Sequence, residues 1–227
     1  MSEYTLGKLR IIDLTKLVDP ATETRLCNLH RFYTGGHIPD YHTNLEINSH
    51  LGTHVECPYH HHDDWSDVSA LPLTTFLGRA VYLNFTDLGP RAYITPEDLE
   101  RVSAGRIRPG DIVILDSPYR IPPFTEKTNT EEDQRLLVNA ATALWLRDKQ
   151  VKCVGFGDGV SVESNNEDIS AFHDILMVEN IVFLEVLKNL ELLKQDVFFM
   201  SYTPMYIKGL DSSPVRAYAI EGLAEFS

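Results

Sequence analysis

Short apolar runs recur along the chain and read as strands. Leu9 to Leu14, Leu45 to His50, Ala80 to Phe85, Asp111 to Leu115, Val151 to Gly155, Ile181 to Glu185, Phe198 to Tyr202 and Val215 to Ile220 are each rich in branched or aromatic residues, which suit a pleated, half-buried surface. Helical patterns are fewer. Thr95-Pro96-Glu97-Asp98 offers an N-cap residue, Pro at the first helical position and an acid at the third, which predicts a short helix from Pro96 to about Val102. The longest helix is expected over Glu132 to about Lys149, where Leu136, Leu137, Ala140, Ala141, Leu144 and Trp145 recur at three- and four-residue intervals. A third helix is expected to begin near Ser170 and to carry His173 in its first turn, with Phe172, Ile175, Leu176 and Val178 as apolar contacts. The pattern is mixed α and β.

Composition narrows the class. The 227 residues, 43% of them hydrophobic, can bury one sizeable core, and no linker or repeat divides them, so one domain over residues 1–227 is expected. Cys27, Cys57 and Cys153 are odd in number, widely spaced and without a Cys-x-x-Cys pair, so they read as reduced thiols. The N-terminus shows no basic leader followed by an apolar run, and no stretch approaches the roughly 20 apolar residues of a membrane span. Cytoplasm is the expected compartment. A net charge of -13 opposes nucleic acid and anionic membranes as partners, both of which need clustered Lys and Arg. That acidity is spread along the chain, with a short excess at Glu131-Glu132-Asp133, and reads as solvated surface.

Candidate chemistry concentrates at His50-Leu51-Gly52-Thr53-His54-Val55-Glu56-Cys57-Pro58-Tyr59-His60, which holds three imidazoles and a carboxylate. Gly52, Thr53, Val55 and Pro58 disfavour a helix, so the segment is expected to be extended. In a strand His50, His54 and Glu56 share one face and Cys57 takes the other. Pro58 ends the strand and turns His60 back toward the same pocket, while Gly52 suits a place where backbone approaches an ion or ligand. Imidazole with carboxylate suits Zn, Mn or Fe(II). Each histidine taken singly also fits a polar surface cluster, but five of the nine fall within residues 50 to 62, and the set favours a metal. His61 and His62 run on into Asp63-Asp64 and read as solvated loop. The signatures of serine hydrolases, nucleotide hydrolases and dinucleotide enzymes are absent. Phe32, Tyr33, Tyr41 and Trp65 flank the motif as either an apolar substrate wall or core, and Asp158 and Ser161 either line the site or make a turn.

The segment from Asn48 to His60 resembles the His-x-Gly-Thr-His-x-Asp-x-Pro-x-His signature of the cyclase family of metal-dependent hydrolases, whose members include kynurenine formamidase and isatin hydrolase. Later elements keep the family's order: Asp158-Gly159-Val160-Ser161, His173-Asp174-Ile175-Leu176, and the strand Ile181 to Glu185. Ile11-Ile12-Asp13-Leu14-Thr15 looks like its first strand. The resemblance implies that His173 and Glu185 join His50, His54 and Glu56 as ligands of one or two divalent ions, Zn or Mn. On position alone, His173 also fits a solvated helix start and Glu185 an exposed strand end.

The resemblance also implies a mixed α/β domain around a small β-barrel, kynurenine formamidase-like and of the swivelling β/β/α type, assembled as a homodimer or higher homo-oligomer with the site near an interface. The expected activity is metal-assisted hydrolysis of a small carbonyl compound, an amide, formamide, cyclic amide or lactone, with His60 as general acid and base. Three departures stand out. Glu56 replaces the usual Asp, Phe156 stands where a glycine is expected before the Asp-x-x-Ser element, and Val186 replaces the Asn that often follows the last Glu. The alternative is a metal-containing binding protein of the same fold whose turnover is impaired through Glu56.

Overall fold

Runs that are apolar at every position, such as Ile112 to Leu115 and Val182 to Leu184, form the middle of the structure, because a strand covered on both faces needs no polar side. The computed structural model describes residues 2–38, 40–121, 128 and 130–226. Its strands are β1 (Glu3–Leu6), β2 (Leu9–Asp13), β3 (Cys27–Tyr33), β4 (Tyr41–Ile47), β5 (His54–Glu56), β6 (Leu77–Asn84), β7 (Ile112–Asp116), β8 (Leu136–Leu137), β9 (Cys153–Gly157), β10 (Val160–Ser161), β11 (Val182–Leu187), β12 (Val197–Ser201), β13 (Ser212–Pro214) and β14 (Tyr218–Glu221). The helices are α1 (Pro96–Ser103), α2 (Ala140–Asp148) and α3 (Asn166–Met177).

Ten strands make one mixed sheet in the order β1-β2-β14-β12-β6-β7-β9-β11-β5-β13. The run β6-β7-β9-β11 is parallel, and the flanking pairings are antiparallel. β1 and β13 stand at its two edges and no pairing among the described residues closes it, so the small barrel implied by the family is not the arrangement reported by the strand order. Alternation divides the core. Ile112, Ile114, Val182 and Leu184 face one cluster with Val55 and Cys57, while Val113, Leu115, Val154 and Phe183 face another that the helices cover through Leu99, Leu146, Phe172 and Leu176. No helix among the described residues is long and apolar enough to cross a membrane.

Each of the eight expected strands overlaps an observed one, and the expected first helix is α1, with Thr95 and Asp98 in a reciprocal capping box. Two helix expectations need correction. Residues 132–139 are not helical: Leu136 and Leu137 form β8, paired with β10, and Asn139 caps α2 through Ala141 and Thr142. Their apolar spacing arises from burial in a short strand followed by a separate helix. The third helix starts earlier than Ser170, because Asn165 accepts from the N–H groups of Glu167 and Asp168, so His173 lies well beyond its first turn.

The motif is also less extended than its composition suggests. Only His54 to Glu56 is strand; His50 lies in the preceding turn, and Gly52 has φ +63°. A Cβ on Gly52 would lie 2.5 Å from Val18 Cγ2, so glycine is needed for a left-handed turn packed against Val18 and not for approach to a ligand. Thr53 fastens this turn to the sheet by accepting from the Lys16 N–H at 2.7 Å and donating to the Val186 carbonyl at 2.7 Å. Gly52→Ala is expected to lower stability by about 1–3 kcal/mol, the usual cost of forcing a side chain into that region. A urea midpoint unchanged from the wild type would overturn this account of the turn.

Candidate metal centre

Strand register places the first part of the site. β5 pairs antiparallel with β11, matching His54 to Glu185 and Glu56 to Phe183. Val55 and Cys57 then enter one core, as the alternation of the sequence predicts, while His54, Glu56 and Glu185 lie on the opposite face. α3 packs over that face and sets the His173 ring 4.8 Å from Phe183. The Gly52 turn returns His50 to 5.1 Å from the His54 ring, and a 3-10 turn at Pro58–His60 brings the His60 ring 4.5 Å from His50 and 6.1 Å from His173. Five expected ligands and the expected acid–base histidine thus converge from two turns, two strands and a helix.

Their polar atoms meet at Glu56. Its Oε1 lies 2.7 Å from His50 Nδ1 and 3.3 Å from His54 Nε2. Glu56 Oε2 lies 3.8 Å from His173 Nε2, beyond hydrogen-bond reach, and is buried without a donor. Glu185 Oε2 stands 3.7 Å from His54 Nε2. The far side of each ring is committed. His54 Nδ1 donates to the Gly52 carbonyl at 2.8 Å, and His173 Nδ1 donates to the Ile169 carbonyl at 2.7 Å. A carbonyl only accepts, so in the neutral rings both Nε2 lone pairs point at the carboxylates, an arrangement suited to metal ligation.

The charges respond to this crowding. Burial pushes the Glu56 carboxyl up, but His173, His50 and His54 outweigh it and hold the group well below the ordinary range. Glu185 lacks that compensation: burial, then the Glu56 charge, raises it from 4.5 to about 7. Burial lowers the His50 and His173 rings, yet Glu56 more than reverses this and both end raised. His60 ends lowered, chiefly through burial, with the His50 and His173 charges acting in the same direction. Two buried carboxylates and an orphaned oxygen among three imidazoles fit a divalent cation, because each ionised group needs a partner when removed from water.

Sequence reasoning missed Asp211. It immediately precedes β13, which pairs with β5, and its backbone carbonyl accepts from the Cys57 N–H at 2.8 Å. Its Oδ2 lies 2.8 Å from His50 Nε2 and 3.3 Å from His60 Nδ1, so one carboxylate holds both rings by the side facing away from Glu56. No spacing joins it to residues 50–60; only the strand order does. An open cavity of about 400 Å³ lies over the cluster, with Arg25, Asn48, Val162, Glu163 and Ile169 completing its wall.

The other sequence candidates lie elsewhere. Phe32, Tyr33 and Tyr41 stand on the β3–β4 hairpin, and Trp65 packs against His62 at 4.2 Å; none lines this cavity. Asp158 pairs with Lys188, and Ser161 accepts from the Glu163 N–H at 3.1 Å, so both brace turns beside the site. His61 and His62 both face Asp174, and the His61 ring also stacks on His173 at 5.2 Å.

A family model described as "Putative cyclase" matches residues 12–164. Kynurenine formamidase from Bordetella petrii is 25% identical over 177 residues, covering 76% of this chain and 77% of that protein. Among solved structures, isatin hydrolase A from Labrenzia aggregata superposes with a TM-score of 0.76 at 19% identity, covering 94% of each chain. Isatin hydrolase A from Ralstonia solanacearum gives 0.73 at 20% identity, covering 94% of this chain and 92% of that one. A potential metal-dependent hydrolase with cyclase activity gives 0.68 at 19% identity over 95% and 99%. These likenesses share the mixed α/β fold.

Glu185 sets a pH dependence for the metal-free protein. Its pKa is raised on folding, so its contribution to stability is complete below the unfolded value of 4.5 and is lost as pH rises through about 7. A cation takes the ionised form and must displace that proton below this range, and the raised His50 and His173 add further protons to be released. Zinc affinity is therefore expected to fall by about tenfold or more per unit as pH drops from about 7 to about 6. Calorimetric titration showing equal affinity at both values would contradict it.

Proposed function

The chain belongs to the cyclase family, and we propose that it is a metal-dependent hydrolase of a small amide, formamide, cyclic amide or lactone. The observation that carries this reading is Glu56 Oε2, buried without a donor among imidazoles whose opposite nitrogens are already committed. His50, His54, Glu56, His173 and Glu185 would hold one or two ions, zinc or manganese by their mix of imidazole and carboxylate. The two oxygens of Glu56 face different imidazoles, which suits a carboxylate shared between two ions. The kynurenine formamidase and isatin hydrolase relatives support formamides and cyclic amides as the substrates to try first.

When bound, a divalent ion supplies water ionised near pH 7 and polarises the attacked carbonyl. His60 does the proton work. Its side chain is one-third exposed at the cavity, and burial keeps the ring neutral near pH 7. Asp211 accepts from Nδ1–H, so Nε2 is free to take the proton from water and return it to the leaving nitrogen or oxygen. The open cavity admits a small substrate beside it. Buried free thiols at Cys57 and Cys153 support a reducing compartment, and we assign the enzyme to the cytoplasm.

The test pairs metal content with turnover. Wild-type protein loaded with Zn or Mn is expected to hydrolyse at least one of N-formyl arylamines, cyclic imides and lactones. His60→Ala should keep its metal and lose about 10²- to 10⁴-fold in rate. Loss of metal in step with activity would make His60 a ligand, and absence of turnover on every substrate class would remove the hydrolase reading.

The same reading includes a homo-oligomer. Among the described residues β3 and β4 pair only with each other, and their register gathers Leu29, Tyr33, Tyr41 and Leu45 on one exposed face. A two-stranded hairpin is marginal alone, and an apolar face of this kind suits burial against a second copy. Arg25, just before β3, and Asn48, just after β4, both line the cavity, so that copy would adjoin the site. Light scattering is expected to give at least a dimer for the wild type and a smaller species for a Leu29→Glu, Leu45→Glu variant. A wild-type monomer would refute this assembly.

A further inference from the structure

Beyond the central cluster, a second group of donors converges at the end of the motif. His61 Nδ1 lies 2.7 Å and His62 Nε2 3.2 Å from the same oxygen, Asp174 Oδ1, and the three donor atoms all lie within 4.8 Å of one another. They come from separate elements. His61 and His62 follow the 3-10 turn at Pro58–His60, whereas Asp174 sits on α3. We propose that His61, His62 and Asp174 form an outer site for a divalent transition-metal ion, independent of the hydrolytic reading above.

The histidines are set in place before any ligand arrives. Both backbone N–H groups donate to the Pro58 carbonyl, at 3.0 and 3.3 Å, and the Trp65 N–H donates to the His62 carbonyl at 3.0 Å. The His62 ring packs against Trp65 at 4.2 Å, and the His61 ring stacks on His173 at 5.2 Å with an interplanar angle of 28°. Side-chain positions fixed in this way lose little freedom on coordination. Zinc bonds of about 2.0–2.2 Å put tetrahedral ligand atoms about 3.3 Å apart, so the two imidazole–carboxylate distances of 2.7 and 3.2 Å need only a small expansion. Side-chain exposures of 24% for His61, 54% for His62 and 48% for Asp174 leave the remaining positions open to water.

With only three protein ligands the intrinsic affinity order decides, and zinc, nickel and copper bind more tightly than manganese. The outer set is also close to the working residues. Its turn carries His60 and its helix carries His173, so an ion there ties the acid–base element to a wall of the central cluster.

Tag-free protein, stripped of metal and titrated with Zn²⁺ against a chromophoric chelator, tests the site. The wild type is expected to take up one equivalent more than a His61→Ala, His62→Ala variant, and that difference should disappear in a titration with Mn²⁺. A His54→Ala variant should retain the outer equivalent while losing central ones. Because His61 packs on His173, His62→Ala and Asp174→Asn are tested singly as well, each expected to weaken the last zinc by at least about tenfold, since a lost ligand in a three-ligand set leaves too few donors. Equal zinc uptake and affinity in the wild type and both single variants would overturn the outer site, while leaving the central assignment to its own metal analysis.

Discussion

Two carboxylates buried on one face of a sheet constrain everything around them. Glu56 and Glu185 are almost wholly removed from water, and the strand pairing that aligns β5 with β11 keeps them there. Burying even one unpaired carboxylate costs several kcal/mol. The fold meets that cost at Glu56 with the rings of His50, His54 and His173. Imidazoles can release their protons to an incoming cation, and a guanidinium cannot. A site meant only for stability has little use for that distinction, whereas a metal centre depends on it.

The backbone near Glu185 also departs from regular strand. The register of β11 against β9 shifts between Leu184 and Leu187, and Val186 has φ +60°, an unfavourable region for a β-branched side chain. A bulge of this kind re-aims the residue beside it, here Glu185. The Asn that often occupies this position in the family tolerates left-handed geometry, so Val186 keeps the shape while accepting strain. Thr53 donates to the Val186 carbonyl, which ties the bulge to the turn preceding His54. The segments that carry His54 and Glu185 are thereby braced against each other.

Much of this was legible in the residues because local chemistry dictated it. Thr95 and Asp98 fix the start of α1, and the alternation of His54, Val55, Glu56 and Cys57 separates the polar face from the core. Convergence of His50 with that set also held, although through a left-handed turn at Gly52 and not through a continuous strand. Leu136 and Leu137 misled because apolar residues three and four apart also arise when a short buried strand abuts a helix. Asp211 had no local signal at all. Its meeting with His50 depends on β13 joining the edge of the sheet beside β5, a long-range pairing that spacing along the chain does not encode.

Asp211 draws the His50 and His60 rings together in a small space. The same oxygen faces His50 Nε2 and His60 Nδ1. In a neutral His60 ring a proton on Nδ1 toward Asp211 leaves Nε2 as the lone-pair nitrogen, while the His50 ring stands between two carboxylates, Glu56 at Nδ1 and Asp211 at Nε2, which favours its protonated form. Oε1 of Glu56 contacts imidazoles from a turn and a strand, and Oε2 stands 3.8 Å from the helix-borne His173 ring. Glu at this position therefore keeps a carboxylate among the imidazoles, and it gives no physical reason to separate this chain from the family to which it belongs.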